Sequence, residues 1–446
     1  TIDTGSDICG PSADMECRGA DTSEELTRQR DKIIAALAGI DGDVVGLIEI
    51  ENDRPGVVPD YAVADLVAGL NDMVGAGTYD YVATGAIGSD AIKVAMIYKP
   101  AKVTMMGDYA ILDSSVDPSY LDQYNRPALA VTFMDNFSEE GFTVVVNHLK
   151  SKGSSCDAIG DPDLGDGAGN CNITRTTAAM AEVDWLATDP TGTGVQNVIL
   201  LGDLNSYDKE DPIDVIKLGS DDTAGTGDDY LDMLYEMQGD EAYGYVYDGQ
   251  IGYLDYALAN VSFAQYIKDV NLWHINADEP DAIDYDMSYK KAAQDAIYAP
   301  DAYRSSDHDP VLVSFTFDYD IVNIDIKPGS CENPFNVKGK GVLPVAILGS
   351  ADLDVTQIDP ATVTLAGIPA SQWTFEDVST MEACSAEGDG YLDLVLHFDV
   401  EALSAVMGDV ADGDLVSLKL VGHKAPEFGG TPVIGFDSVL ILKKGK

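Results

Sequence analysis

The chain has 446 residues, 77 acidic against 26 basic side chains, and a formal net charge of -51. Its hydrophobic fraction of 45% excludes a disordered acidic polymer, and its length allows two or three domains. No apolar run in the sequence approaches the ~20 residues that span a bilayer, so we predict no membrane span. The charge argues against a broad basic surface for nucleic acid or anionic lipid, and it favours a cation-rich environment such as salt water.

The first part of the sequence alternates between helical and strand patterns. Thr22 and Glu25 fit a capping box at the start of a predicted helix over 22–40. Further helices are predicted at 60–73, 173–187 and 211–217, and strands at 43–50, 93–100, 127–134, 142–147, 197–204, 253–260 and 310–317. Because several strands follow one another without a helix, the pattern favours an α/β sandwich with mixed sheets over a doubly wound parallel sheet.

The pattern changes near residue 320. From there on, short apolar strands separated by Gly, Pro and Asp turns are typical of a β-sandwich. We therefore predict two domains, over residues 1–320 and 321–446.

Six cysteines form three well-separated pairs along the chain. Many connectivities are possible, and local pairing is the simplest: Cys9–Cys17, Cys156–Cys171 and Cys331–Cys384. Disulfides predict an extracellular or periplasmic protein, and free buried thiols in a cytosolic protein are the alternative. The chain begins at Thr1 without a methionine or a signal sequence, so we expect its true start to have been removed.

Several apolar strands of the first domain end, or nearly end, in polar residues: Glu49, Asn147, His148, Lys150, Lys152, Asp203 and Asn205. Asp255 lies inside a predicted strand, and Asp307 and His308 come immediately before one. Each is weak alone, because a Glu at a strand end is usually solvated, an Asp-x-Asn sequence is commonly a turn, and a lone strand His is more often a core residue. Their joint occurrence is improbable by chance, and polar ends of neighbouring strands meet at one rim of a sheet.

These residues lie in segments that resemble the endonuclease/exonuclease/phosphatase superfamily of deoxyribonuclease I, and in particular secreted bacterial nucleases of the ExeM/NucH type. The resemblance covers roughly residues 16–317. It includes CRGAD (17–21), GLIEIEND (46–53), NRPALAVTF (125–133), VVVNHLKSKG (144–153), GNCNITR (169–175), LLGDLNSY (200–207), GYLDYALAN (252–260), WHINADEP (273–280) and YRSSDHDPV (303–311). It implies a four-layer α/β sandwich with two central mixed sheets that hydrolyses phosphodiesters with a divalent metal.

The resemblance also implies roles for single residues. Glu49 and Asp307 would bind Mg²⁺ or Mn²⁺ through hard oxygen ligands. Asp203 would activate the attacking water, Asn205 would fix the phosphate or metal, and His308 would act on the phosphate while Asp255 orients its ring. The remaining implied residues are the second histidine, His148, and the substrate contacts Arg126, Asn147, Lys150, Lys152 and Arg175. The family's first strand, which carries an active-site Asn, is not found before CRGAD, so we expect that strand either to be missing from this chain or to be supplied differently.

Weaker signals suggest calcium. Asp161, Asp163 and Asp166 lie at calcium-loop-like spacing between two cysteines, and Glu387, Asp389 and Asp393 lie in a short Gly-containing turn. Solvated acidic loops are the alternative in both places. The second domain resembles β-sandwich modules appended to secreted marine-bacterial proteins, which suggests a binding, adhesion or sorting role, or an inert spacer.

The leading hypothesis is a secreted nuclease of low sequence specificity from a bacterium of a marine or saline environment, with DNA and possibly RNA as substrate. One alternative is a phosphodiesterase or phosphatase of the same fold that acts on phospholipid or sugar phosphate. Another is an extracellular adhesion or matrix protein with impaired catalysis. For the nuclease we predict a narrow positive rim around the metal site, formed by Arg18, Arg28, Arg30, Arg126, Lys150, Lys152, Arg175 and Arg304.

Overall fold

The computed structural model describes residues 2–53, 60–330, 332–379 and 388–443. The chain divides into two compact units. The first comprises Thr1–Asn136 and Gly141–Thr316, and the second comprises Phe137–Glu140 and Phe317–Lys446. The chain passes from the first unit to the second at 316–317, close to the point where the sequence pattern becomes all-β.

The first unit combines strands and helices. Its described strands are β1 (Asp7–Cys9), β2 (Met15–Glu16), β3 (Val44–Glu51), β4 (Asp80–Tyr81), β5 (Ile92–Tyr98), β6 (Val103–Met105), β7 (Ala110–Leu112), β8 (Arg126–Asp135), β9 (Gly141–His148), β10 (Val198–Asp203), β11 (Tyr230–Asp232), β12 (Tyr245–Tyr247), β13 (Gln250–Gly252), β14 (Asp255–Asn260), β15 (Ile267–Leu272) and β16 (Val311–Phe315). Its described helices are α1 (Ser23–Ile40), α2 (Tyr61–Val74), α3 (Asn172–Leu186), α4 (Asp211–Leu218), α5 (Met233–Gln238), α6 (Val261–Ala264) and α7 (Ala292–Asp295), with 3₁₀ turns at Asp157–Ile159, Gly239–Glu241 and Asp281–Ile283.

Local sequence explains where these helices begin. The Thr22 hydroxyl accepts a hydrogen bond from the Glu25 backbone N–H, and the Glu25 carboxylate accepts one from the Thr22 N–H, which forms the predicted capping box of α1. Helix α4 has a proline in its first turn, where the missing N–H costs nothing.

Two sheets form the centre of the first unit. The larger has the strand order β11-β14-β10-β9-β8-β6, with β7 also paired to β8. It is mixed, because β9 and β10 run parallel while the other pairs are antiparallel. The smaller sheet has the order β3-β5-β4 and is antiparallel throughout.

The sheets pack face to face between helices. A Cβ added at Gly46 of β3 would lie 2.8 Å from the Val146 side chain of β9, so glycine allows the close approach of the sheets. Helices α1 and α2 share a core with the smaller sheet that includes Leu37, Val67 and Ile97. Helix α3 covers the opposite face of the larger sheet, where Glu182 lies against Asn147. The predicted α/β sandwich is therefore confirmed.

Two predicted disulfides are present. Cys9–Cys17 and Cys156–Cys171 close short loops with Cα–Cα distances of 5.0 and 5.3 Å. The third predicted bond, Cys331–Cys384, lies outside the described residues. No helix in the described part of the chain has the length and apolar character needed to cross a bilayer.

The second unit is rich in strands. Its described elements are β17 (Asp320–Ile321), β18 (Ile324–Ile326), β19 (Pro334–Asn336), β20 (Val342–Ile347), β21 (Ile358–Leu365), β22 (Ile368–Pro369), β23 (Gln372–Glu376), β24 (Asp393–Asp399), α8 (Val400–Val406), β25 (Leu415–Lys424) and β26 (Pro432–Leu442), with 3₁₀ turns at Val355–Gln357 and Pro426–Phe428. One sheet has the order β17-β26-β25-β21-β22 with β19 paired to β26, and the other has the order β18-β20-β24-β23. A shared apolar core includes Phe335, Val345, Leu396 and Leu420.

Candidate active site

Four polar residues lie in one row across the end of the larger sheet. Arg126 opposes His148 between β8 and β9, His148 opposes Asp203 between β9 and β10, and Asp203 opposes Asp255 between β10 and β14. Residues directly opposite in a sheet project to the same face. The backbone register therefore brings together four of the predicted site residues.

Glu49 approaches this row from the smaller sheet. The pairing of β3 with β5 shifts its register between Leu47 and Ile50, and Glu49 takes a left-handed backbone conformation with φ of 56°. A bulge of this kind changes the direction in which one side chain points, here that of Glu49. The Glu49 carboxylate is 64% exposed, and its Oε1 lies 3.9 Å from Nε2 of His148, which in turn lies 3.7 Å from Oδ2 of Asp203.

Asp203 is buried and is held by Asn205. The Asn205 backbone N–H donates to Oδ1 of Asp203 at 2.6 Å, and the Asn205 amide donates to Oδ2 at 2.8 Å. Burial and the nearby Asp255 raise the pKa of Asp203 to about 7. Asn205 thus fixes the orientation of a carboxylate with a proton affinity suited to general-base chemistry.

His308 is paired with Asp255 and packed against Tyr245. Nδ1 of His308 lies 2.5 Å from Oδ2 of Asp255, and the His308 and Tyr245 rings have centroids 4.4 Å apart. Burial disfavours the charged ring, but Asp255 outweighs it and raises the pKa of His308 to about 10. Asp307 is exposed next to His308 and also favours the imidazolium.

His148 and Arg126 form the other end of the row. Burial and the Arg126 charge hold the pKa of His148 well below its usual value, so its ring is neutral. One Arg126 guanidinium nitrogen lies 3.5 Å from His148 Nε2, and another lies 3.0 Å from Asp90, which also pairs with Arg18 at 3.2 Å. Arg126 is only 6% exposed, so little of its guanidinium is open to solvent.

Asp309 was not predicted, and it organises the loop beside the site. Its buried Oδ1 accepts the backbone N–H groups of Ile275, Asn276 and Ala277, and its Oδ2 lies 2.9 Å from Nδ1 of His274. Its own N–H donates to the carbonyl of Gly244 at 2.8 Å. The sequence feature that could have indicated its role is its position as the second aspartate of the SDHDPV segment, immediately before a proline and a strand.

Two predicted substrate contacts need correction. Arg175 is fully buried and donates to Ser206 and to the carbonyls of Lys150, Asn170 and Ala168. A guanidinium enclosed in this way has no surface for a substrate, and it holds the disulfide-closed loop instead.

Asn147 is also fully buried. Because successive strand residues face opposite sides of a sheet, it points away from its neighbour His148, and its side chain lies against Glu182 under α3. The prediction of a substrate contact for Asn147 is therefore wrong.

Most cations of the predicted positive rim pair with carboxylates. The pairs are Arg18 and Arg126 with Asp90, Arg28 with Glu24 and Asp295, Arg30 with Asp65, Lys152 with Glu210, and Arg304 with Asp281. Lys150 remains half-buried beside Arg126, and burial lowers its pKa. The Arg18 side chain stays 50% exposed in its pair with Asp90.

The first calcium prediction also needs correction. Asp161 is buried and caps α3, because its carboxylate accepts the N–H groups of Ile173 and Thr174 and the Thr174 hydroxyl. Asp163 and Asp166 are exposed and accept N–H groups two residues ahead, as Asx turns do.

The second calcium prediction concerns the other unit. Asp393 is buried and accepts the N–H groups of Gly349, Val378 and Ser379, so its carboxylate holds three segments of backbone together. Asp389 accepts the Tyr391 N–H in a turn. Glu387 lies outside the described residues. The contacts of Asp389 and Asp393 are structural.

A model of the endonuclease/exonuclease/phosphatase family matches residues 16–308. The chain belongs to this family. The matched segment contains the whole row from Arg126 to Asp255, together with Glu49, Asp307 and His308. The chain is therefore a phosphate-ester hydrolase of the endonuclease/exonuclease/phosphatase superfamily.

Solved structures resemble the family domain at low identity. An endonuclease/exonuclease/phosphatase from Bacteroides vulgatus shares 13% identity with a TM-score of 0.41, covering 65% of this chain and 91% of that one. A mannosyl-6-phosphatase of Bacteroides thetaiotaomicron shares 16% with a TM-score of 0.43, covering 67% and 97%. D. rerio TDP2 complexed with a single-strand DNA product shares 13% with a TM-score of 0.39, covering 66% and 94%. At this distance the likenesses carry no information about substrate. No curated protein matches the chain.

Enzymes of this family generally use divalent metals such as Mg²⁺. The donor chemistry of the site fits such an ion, since the exposed carboxylates of Glu49 and Asp307 are hard oxygen ligands beside the catalytic row. The described residues contain no group of three or more His, Cys, Asp or Glu side chains arranged to hold a metal. Water and substrate oxygens would complete the coordination of a Mg²⁺ ion, as Mg²⁺ sites with few protein ligands require.

Proposed function

We propose that the chain is a secreted, divalent-metal-dependent endonuclease that hydrolyses extracellular DNA, and RNA as a second substrate, with low sequence specificity, like the ExeM/NucH-type nucleases. The observation that carries the proposal is the row of Arg126, His148, Asp203 and Asp255 with His308 held on Asp255 at 2.5 Å. It combines an oriented base, a charged imidazole and a neutral one within a single site.

Each side chain has a part in the proposed hydrolysis. Asp203, fixed by Asn205, accepts a proton from the water that attacks phosphorus. Because Asp255 occupies Nδ1 of His308, Nε2 faces the substrate, where the imidazolium stabilises the phosphorane charge and the departing oxygen. A divalent ion on Glu49 and Asp307 would supply further neutralisation of the phosphate charge.

The buried neutral His148 has a different part. With Arg126 beside it, the neutral ring borders the proposed phosphate position without adding a second positive charge there. Lys150 and Arg18 extend the contact along the polynucleotide backbone.

Two features support secretion and an accessory unit. The disulfides Cys9–Cys17 and Cys156–Cys171 persist in oxidising surroundings, outside the cytosol. The strand-rich second unit has its own core, as an appended β-sandwich module for binding, adhesion or sorting would.

Plasmid digestion tests the proposal. Supercoiled plasmid is incubated with the chain in Mg²⁺ or Mn²⁺, and we expect nicked and then linear forms, with loss of cleavage in His308→Ala and in the presence of a chelator. His397→Ala, in the other unit, is the matched control and should cleave normally. The nuclease proposal is overturned if plasmid stays intact in both metals while the chain hydrolyses a phosphomonoester, a sugar phosphate or a phospholipid. That result favours a phosphatase or phosphodiesterase of the same fold.

A further inference from the structure

A small hairpin beside His308 carries two tyrosines whose role the catalytic row does not explain. Strands β12 and β13 pair through an Asp248–Gly249 turn, and both turn residues have positive φ, 49° and 77°. This is the two-residue turn that suits the twist of a hairpin. Residues two apart on a strand share a face, so Tyr245 and Tyr247 lie on the same side of β12.

The hairpin is tied to the catalytic histidine segment. The Asp309 N–H donates to the Gly244 carbonyl, and the Gly244 N–H donates to the Gly252 carbonyl, both at 2.8 Å. Asp309 immediately follows His308 in the chain. The hairpin and the catalytic imidazole are therefore held in a fixed relation by backbone hydrogen bonds.

The aromatic rings extend outward from His308. Tyr245 contacts the His308 ring at 4.4 Å, and the Tyr247 ring lies parallel to Tyr245, at 9° and 6.3 Å between centroids. Tyr247 is 67% exposed. A Cβ at Gly252, which opposes Tyr245, would lie 2.8 Å from the Tyr207 ring, so a third tyrosine borders the same face.

An exposed aromatic face next to a phosphodiester site suits a nucleobase. Stacking on aromatic rings is a general way to hold single-stranded nucleic acid, and it tolerates any base sequence. It also needs no positive charge, which matters here because most predicted rim cations are paired with carboxylates.

We propose that Tyr245 and Tyr247 form a stacking ledge that binds a nucleobase flanking the scissile phosphate of a polynucleotide. The ledge rests on the nuclease proposal and deepens it, since it selects substrates that carry planar bases over base-free phosphodiesters. Tyr247 provides the exposed platform, and Tyr245 joins that platform to His308.

The test compares variants of one hairpin on two substrates. Tyr247→Ala and Tyr247→Phe are assayed on a single-stranded oligodeoxynucleotide and on one of equal length with tetrahydrofuran abasic sites around the cleavable bond. We expect Tyr247→Ala to raise KM for the normal oligonucleotide about tenfold with kcat little changed, to leave the abasic substrate unaffected, and Tyr247→Phe to restore the original KM.

Ile251→Ala is the matched control. Ile251 lies on the same hairpin and is also 67% exposed, but it opposes Val246 and so faces the other side. It should leave both KM values unchanged. Circular dichroism and thermal unfolding of each variant establish that the hairpin change has not unfolded the unit.

The outcomes separate the two proposals. If the original protein cleaves the oligonucleotide but Tyr247→Ala has no effect, or weakens both substrates equally, the ledge is refuted and the nuclease stands. A Tyr247→Phe variant as impaired as Tyr247→Ala also refutes stacking, since the ring alone should suffice. If the original protein cleaves plasmid but neither oligonucleotide, the ledge falls alone. If it cleaves neither plasmid nor oligonucleotide in Mg²⁺ or Mn²⁺, the nuclease proposal falls and the ledge falls with it.

Discussion

Glu182 lies fully buried in α3 against Asn147. Because burial favours the protonated form of its carboxyl group, we expect the free energy of unfolding to fall as pH rises. Burial raises the pKa of Glu182 from 4.5 to about 8, with Asn147 acting weakly in the other direction. The folded state therefore keeps a proton that the unfolded chain releases above pH 4.5. Stability is fully present below that pH and is lost as pH rises to about 8.

The magnitude follows from the shift. Each pKa unit corresponds to ~1.4 kcal/mol, so a shift from 4.5 to about 8 gives an upper limit of roughly 5 kcal/mol lost between these pH values. Glu182→Gln keeps the shape and a hydrogen-bond donor but does not titrate. We expect it to be close to the original in stability at pH 5 and more stable by several kcal/mol at pH 8.

Urea unfolding at pH 5, 6, 7 and 8 measures the effect. Because the chain has two compact units, a Trp373→Phe background removes the second unit's tryptophan and leaves Trp185 and Trp273 to report the first unit. Asp184→Asn, an exposed carboxylate on the same helix, is the matched control. Parallel pH dependence in the original and Glu182→Gln proteins would refute the reasoning.

Three further predictions concern the site and its supports. Asp255→Asn should lower kcat/KM about 10²–10⁴-fold and move the alkaline limb of the pH–rate profile to lower pH, because His308 loses the partner that raises its pKa; an unmoved limb counts against this pairing. Asp309→Asn should cost about 3 kcal/mol in urea unfolding, since three N–H groups lose a charged acceptor, and unchanged stability would contradict that assignment. Replacing Cys156 and Cys171 by alanine should lower the free energy of unfolding by ~3 kcal/mol, because the unfolded chain gains the entropy of an open loop of this length. If the original protein is equally stable before and after its disulfides are reduced, this prediction is wrong.

The sequence predicted that polar residues would meet at one rim of the sheet, because each lies at the end or the start of a strand. An apolar run that stops at a polar residue is visible without coordinates, and the family resemblance placed His148, Asp203, Asp255 and His308 in one site. The structure adds the register that sets them opposite one another. Helix and strand positions in the first unit were likewise close, since amphipathic periods and capping residues are local properties.

The wrong predictions concern residues whose contacts depend on where the side chain lies in the fold and not on the motif that contains it. Asn147 faces the side of the sheet that α3 covers. The alternation of a strand predicts that neighbouring residues face opposite sides, but it does not tell which side carries the site. Asp161 has calcium-like spacing, but α3 begins at Asn172 and its first N–H groups compete for that carboxylate. Arg175 looks like a phosphate contact in sequence, yet the carbonyls of Lys150, Ala168 and Asn170 surround it.

The aromatic hairpin had a local signal that was missed. YVYDGQIGY contains an Asp-Gly pair between short alternating strands, a strong hairpin pattern. Its closeness to His308 could not be deduced, because that depends on a hydrogen bond between residues far apart in sequence, Gly244 and Asp309.

The strand register fixes the four side chains of the row relative to one another. Arg126, His148, Asp203 and Asp255 cannot shift independently, since each is fixed by the ladder of its neighbours. The tyrosine hairpin, in contrast, joins that row through a few backbone bonds at its base. On the proposed function, exchanging Tyr247 at the exposed end of the hairpin would change the contact with substrate while the row, and the contact of Tyr245 with His308, stay in place.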